Sequence, residues 1–120
     1  RWTREKKNGF IVANYIDFDM LYGHRRDAKG YASALEETDR WLADYIPLLT
    51  RDDVLIITAD HGNDPTYRGS DHTREYVPLI VYQPGRAPAS LGVRKGFFDI
   101  AQSVATFFGI KPMPRGVSFL

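Results

Sequence analysis

The sequence predicts an α/β domain, and three observations carry that prediction. Apolar runs rich in β-branched and aromatic residues recur at 10–16 (FIVANYI), 54–59 (VLIITA) and 77–82 (VPLIVY), each of strand length. A stripe of apolar residues at helical spacing separates the first two. A long polar stretch, 60–76, separates the second and third.

The first run predicts a buried strand over about 10–17. A helix follows over 31–49, where Ala34, Leu35, Trp41, Leu42, Tyr45, Ile46 and Leu49 fall on one face. Gly30 precedes it, and Pro47 removes a backbone donor, so its last turn should loosen. The second run predicts a strand over 54–60. Strand, helix and strand over this distance form a βαβ unit, with two parallel strands and a right-handed crossover. Residues 60–76 read as an ordered loop without a helix, and such long loops usually carry function. The third run predicts a strand over 77–83, with Pro78 placing its start at an edge. A last helix is expected over 98–108, with Ile100, Ala101, Val104, Phe107 and Phe108 facing inward. Asp99 then suits the helix N-terminus as a structural charge, and Gly109 is a natural C-terminal stop.

The 120 residues suit one domain. With no cysteine, neither a disulfide scaffold nor a cysteine-rich zinc module can form, and a reducing compartment such as the cytoplasm fits. Sixteen basic and fifteen acidic residues give a net charge of +1, so no bulk attraction to nucleic acid is expected. Arg1, Arg4, Lys6 and Lys7 read as a solvated edge. The apolar runs are too short to span a membrane. The chain opens on Arg1 and its first methionine is Met20, as expected of a processed or cut chain.

Each of the three histidines has an aspartate nearby. His24 follows Asp19 at a spacing of five, His61 follows Asp60 directly, and His72 follows Asp71 directly. Asp19/His24 and Asp60/His61 are expected at the carboxyl ends of two parallel strands, the edge where open α/β sheets place their sites. Imidazole and carboxylate together suit Mn²⁺, Zn²⁺ or Fe²⁺ better than Ca²⁺ or Mg²⁺. For Asp60 and His61 to converge the chain must turn, and Gly62 permits it. If His72 joins the same site, the loop must end near where it began. The 77–83 strand must then run antiparallel to 54–60.

Three runs resemble one family. They are DFDMLYGHRRD at 17–27, TADHGNDPT at 58–66 and DHTREYVP at 71–78. Together, in this order and spacing, they resemble the phosphopentomutase family of the alkaline phosphatase superfamily, as does the closing GVSFL at 116–120. The resemblance covers nearly the whole chain from Phe10 onward. It implies an α/β/α sandwich, of which residues 1–120 would be the C-terminal portion of the metal-binding core domain, without the N-terminal core and the cap domain.

The implied reaction interconverts ribose or deoxyribose 1-phosphate and 5-phosphate through a phosphothreonine and a bisphosphate intermediate, on two Mn²⁺ ions. By motif match, Asp19, His24 and His72 would bind one ion, and Asp60 and His61 the other. Neither Thr58 nor Thr66 matches the family's nucleophile, which is expected upstream together with a further aspartate ligand. This chain alone is therefore expected to be inactive. Arg25 and Arg26 fit either bidentate phosphate binding or ion pairing with Asp27 and helix carboxylates. Asp71 fits a group orienting a ligand as well as a solvated loop residue. Asp17 reads as structural.

The expected partners are a pentose phosphate, no nucleic acid and no membrane, with self-association or pairing with the missing N-terminal part at the open sheet edge. The alternatives are a segment of another enzyme of the superfamily, a cofactor-independent phosphoglycerate mutase or a phosphodiesterase, or a non-catalytic metal-binding fragment.

Overall fold

The computed structural model describes residues 8–120, so the basic start at Arg1, Arg4, Lys6 and Lys7 lies outside the described residues. Two compact units are present, one reaching to Arg86 and one from Ala87 to Leu120. In the first, a π-helical turn (Phe18–Gly23) leads into helix α1 (Ala28–Tyr45), a 3₁₀ turn (Ile46–Leu48), and strands β1 (Leu55–Thr58) and β2 (Leu79–Tyr82).

β1 and β2 pair antiparallel, with Leu55 opposite Tyr82 and Thr58 opposite Leu79. This is the pairing required if His72 returns to His61. Thr58 strengthens the end of the pair by donating its hydroxyl to the Pro78 carbonyl at 2.8 Å.

The strand expected over 10–17 is not formed, so the parallel βαβ pair is absent and the sheet has two strands among the described residues. A strand satisfies its backbone groups through a neighbour, and no described segment pairs with this one. Its side chains stay exposed, Val12 at 76%. Asp19 and His24 therefore rise from a π-helical turn rather than from a strand end.

α1 begins three residues before the expected position because Asp27 caps it, its carboxylate accepting from the Gly30 N–H at 2.8 Å. Gly30 lies inside the first turn for a packing reason. A Cβ there would stand 2.5 Å from the Tyr22 ring. The bare glycine lets the π turn sit against α1, where Phe18 meets Tyr31 edge to face at 5.2 Å. Pro47 loosens the end as expected, and the chain tightens into the 3₁₀ turn. Trp41 stacks on Tyr45 at 4.7 Å, yet Trp41 and Leu35 remain about half exposed.

The second unit is built on helix α2 (Phe98–Phe107), closed by Gly109 in the left-handed region at φ 62°. Its buried face differs from the expected one. Asp99, Ser103 and Ala105 are buried, whereas Ala101, Phe107 and Phe108 are exposed. No described strand pairs with the C-terminal segment, and α2 side chains take its backbone donors. Val117 N–H donates to Asp99 Oδ1 and Phe119 N–H to Ser103 Oγ, each at 2.9 Å. The Ser103 hydroxyl in turn donates a hydrogen bond to the Asp99 carbonyl at 2.7 Å. Asp99 is structural, as expected, and Arg94 approaches it at 3.6 Å. No described helix is long and apolar enough to cross a membrane.

Candidate metal centre

Two hinges bring the histidines together. The first is the π-helical turn, which places Asp19 and His24 five residues apart on one side, with His24 N–H donating to the Asp19 carbonyl at 2.9 Å. The second is the 60–76 loop, which has no helix and is pinched at its base. Gly62 and Thr73 form an isolated antiparallel bridge, closed by Thr73 N–H to the Gly62 carbonyl at 3.0 Å. Asp64 N–H adds a bond to Thr73 Oγ1 at 2.7 Å. His61 and His72 flank the bridge, so their rings stack at 3.7 Å.

Gly62 is needed for a reason other than the turn anticipated from the sequence. A Cβ at this position would lie 2.7 Å from the Thr73 carbonyl oxygen. The two arms of the loop close only because one of them has no side chain.

The ligand atoms converge. His24 Nε2 lies 3.3 Å from Asp19 Oδ2, His72 Nε2 lies 3.4 Å from Asp19 Oδ1, and the two Nε2 atoms are 3.1 Å apart. His61 joins them: Asp19, His61 and His72 each offer a ligand atom within 4.8 Å of the others. Donors about 2.0–2.1 Å from one divalent ion stand about 3.3 Å apart in a tetrahedral set, and the His24, His72 and Asp19 spacings match that edge. Asp60 is brought less far in. It pairs with His61 at 3.6 Å, with its side chain 82% exposed. The motif reading divided these five residues between two ions. In the structure His61 bridges the two sets, through its ring stack on one side and Asp60 on the other.

Protonation also fits a cation. His24 Nδ1 lies 2.5 Å from the Ser70 carbonyl oxygen. A carbonyl only accepts, so Nδ1 holds the proton, and a neutral His24 ring presents a lone pair at Nε2. Partial desolvation pulls the Asp19 carboxyl upward. The Asn63 hydrogen bond and the positive charge that His24, His72 and His61 carry when protonated outweigh it, and Asp19 is held below its ordinary value of 3.8. The cluster therefore presents an anion and facing imidazole nitrogens, a donor set suited to a divalent transition ion.

Arg26 is engaged within the loop. Its guanidinium donates to the carbonyls of Asp64 at 2.7 Å, Asp71 at 2.6 Å and Gly69, and to Asn63 Oδ1 at 3.0 Å. It clamps the loop rather than pairing with Asp27. Arg25 is exposed. Asp71 contributes through its backbone, as an acceptor for Arg26. Asp17 forms no side-chain cap at the head of the π turn. Thr58 and Thr66 are engaged by the Pro78 carbonyl and the Asp64 carboxylate.

Asn63 and Ser70 belong to the site but were not singled out from the sequence. Asn63 lies two residues beyond His61 and donates to Asp19 from there. Ser70 acts through its backbone, which no residue-type argument detects.

The chain is similar in sequence to proteins of known name. Phosphopentomutases from Yersinia pestis bv. Antiqua (strain Angola) and from Yersinia pseudotuberculosis serotype O:1b (strain IP 31758) are each 53% identical over 113 residues, 94% of this chain. The chain spans 28% of the length of these relatives. A family profile described as the metalloenzyme superfamily matches residues 2–112, which include every residue of the cluster, and the chain belongs to that superfamily.

Proposed function

We propose that this chain is the metal-binding portion of a phosphopentomutase, acting in the cytoplasm on ribose or deoxyribose 1- and 5-phosphates. The observation that carries this reading is the convergence of Asp19, His24, His61 and His72 from three separate motifs onto one cluster. Similarity to proteins named phosphopentomutase supports the substrate class.

In this reading Asp19, His24 and His72 hold one Mn²⁺ ion, and Asp60 and His61 contribute to a second. The ions supply Lewis acidity and charge neutralisation for phosphoryl oxygens. The protein's share is positional. The π turn and the pinched loop hold the donors in place, and Ser70 keeps the His24 lone pair directed inward. Asp60 and His61 are too few to close a site by themselves, so further ligands, and the threonine that carries the phosphoryl group, come from outside this segment. Thr58 and Thr66 are poor candidates for that carrier, because both hydroxyls are already engaged. Arg25, exposed beside the site, is the better placed of the two arginines to meet a substrate phosphate.

The test uses the protein expressed from its whole reading frame. Mn²⁺-dependent interconversion of ribose 1-phosphate and ribose 5-phosphate is expected, with loss of activity in His72→Ala. Turnover of phosphoglycerate without turnover of pentose phosphates would contradict the reading.

A further inference from the structure

Asn63 connects the loop clamp to the metal cluster. Its Nδ2 donates to Asp19 Oδ1 at 2.6 Å, and its Oδ1 accepts from Arg26 Nη1 at 3.0 Å. The second bond sets the direction of the first. A guanidinium has no acceptor, so the amide oxygen must face Arg26 and the amide nitrogen must face Asp19. The amide is not free to flip. Arg26 is itself fixed, because its Nε and Nη2 are held by the Gly69 and Asp71 carbonyls. It also adopts φ 56°, a left-handed conformation a non-glycine residue keeps only when its surroundings enforce it.

The space for Asn63 is equally specified. A Cβ on Gly23 would lie 2.5 Å from Asn63 Nδ2 and 2.6 Å from its Cγ. Gly23, the last residue of the π turn, is buried against this amide. Thus one side of Asn63 is bounded by the turn that carries Asp19, and the other by the arginine that clamps the loop carrying His72.

We infer that Asn63, oriented by Arg26 and seated in the notch at Gly23, is a positioning residue that fixes the rotation of the Asp19 carboxylate. With one Oδ1 lone pair taken by the amide, the remaining lone pairs are directed at His24 and His72. The inference rests on the proposal that Asp19 binds a metal ion. It adds that the ligand is preset before the ion arrives. Groups that orient a ligand in this way are commonly worth about 10–100-fold in metal affinity.

The experiment is a Mn²⁺ titration of the protein from its whole reading frame, following the electron paramagnetic resonance signal of free Mn²⁺. Four proteins are compared: wild type, Asn63→Ala, Asn63→Leu and Asp19→Asn. Asn63→Leu conserves volume, so it remains informative if the alanine variant folds poorly. The expected result is an affinity about 10–100-fold weaker in the Asn63 variants, with metal-free melting unchanged in at least Asn63→Leu, and a larger loss in Asp19→Asn. Wild-type affinity in both Asn63 variants, with Asp19→Asn impaired, would overturn the inference and leave the metal proposal standing. Equal affinity in all four would overturn both.

Discussion

The Nε2 atoms of His24 and His72 stand 3.1 Å apart although 48 residues separate them in the chain. Ser70 fixes the proton of His24 on the far nitrogen, at 2.5 Å. Two imidazoles held edge to edge repel if both are protonated, and a cation that accepts both lone pairs removes the conflict.

Acid should therefore release the metal before it protonates Asp19. Asp19 is held below its ordinary value of 3.8, so its share of stability is present above that value and is lost only as pH falls further. Imidazole is the side chain that normally titrates between about pH 5 and 8, and its protonation competes with metal. Bound Mn²⁺ measured against pH should fall on the acid side while Asp19 is still ionised. A midpoint below about pH 4 would instead assign the competition to a carboxylate.

Gly62→Ala should open the loop. Its Cβ would meet the Thr73 carbonyl at 2.7 Å, and the backbone must shift to admit it. Overpacking of this kind costs about 1–3 kcal/mol. Because His61 and His72 flank the bridge, Mn²⁺ affinity should fall together with stability. Denaturant unfolding and metal titration of the same variant check both effects.

Asp99→Ala should destabilise the second unit by about 2–4 kcal/mol, since it leaves the Val117 N–H and the Arg94 guanidinium without the carboxylate they face. Asp99→Asn retains an oxygen for Val117 and should cost less. The order of the two variants in chemical denaturation is the measurement.

The exposed 10–16 run should make the 120-residue chain self-associate. Phe10, Val12 and Ile16 present apolar side chains beside backbone groups that no described strand pairs. Val12→Lys should shift the sedimentation distribution toward monomer. A wild-type chain that stays monomeric at high concentration would count against the proposal.

What was legible in the sequence follows from range. α1, α2 and the two strands β1 and β2 rest on local patterns, and they formed. A site that gathers His61 and His72 requires β2 to run antiparallel to β1, and β2 does so. The strand at 10–17 failed because strand propensity is satisfied only by a neighbour, which the described residues do not supply. The inward face of α2 differs from the expected one for a related reason: apolar spacing marks a stripe, but backbone donors at Val117 and Phe119 take the polar positions Asp99 and Ser103. The histidines and aspartates of the cluster were legible as residue types. The Arg26 clamp was not, because its acceptors are mostly carbonyls that every residue carries.

The most direct test of the central claim is Mn²⁺ binding by wild type beside His24→Ala, His72→Ala and Asp19→Asn, each with metal-free folding verified by circular dichroism. The account predicts saturable binding in wild type and a loss of at least about 10-fold in every variant, in line with the removal of a ligand or its support. Binding that is equal in all four proteins, or absent from wild type at millimolar Mn²⁺, would contradict it.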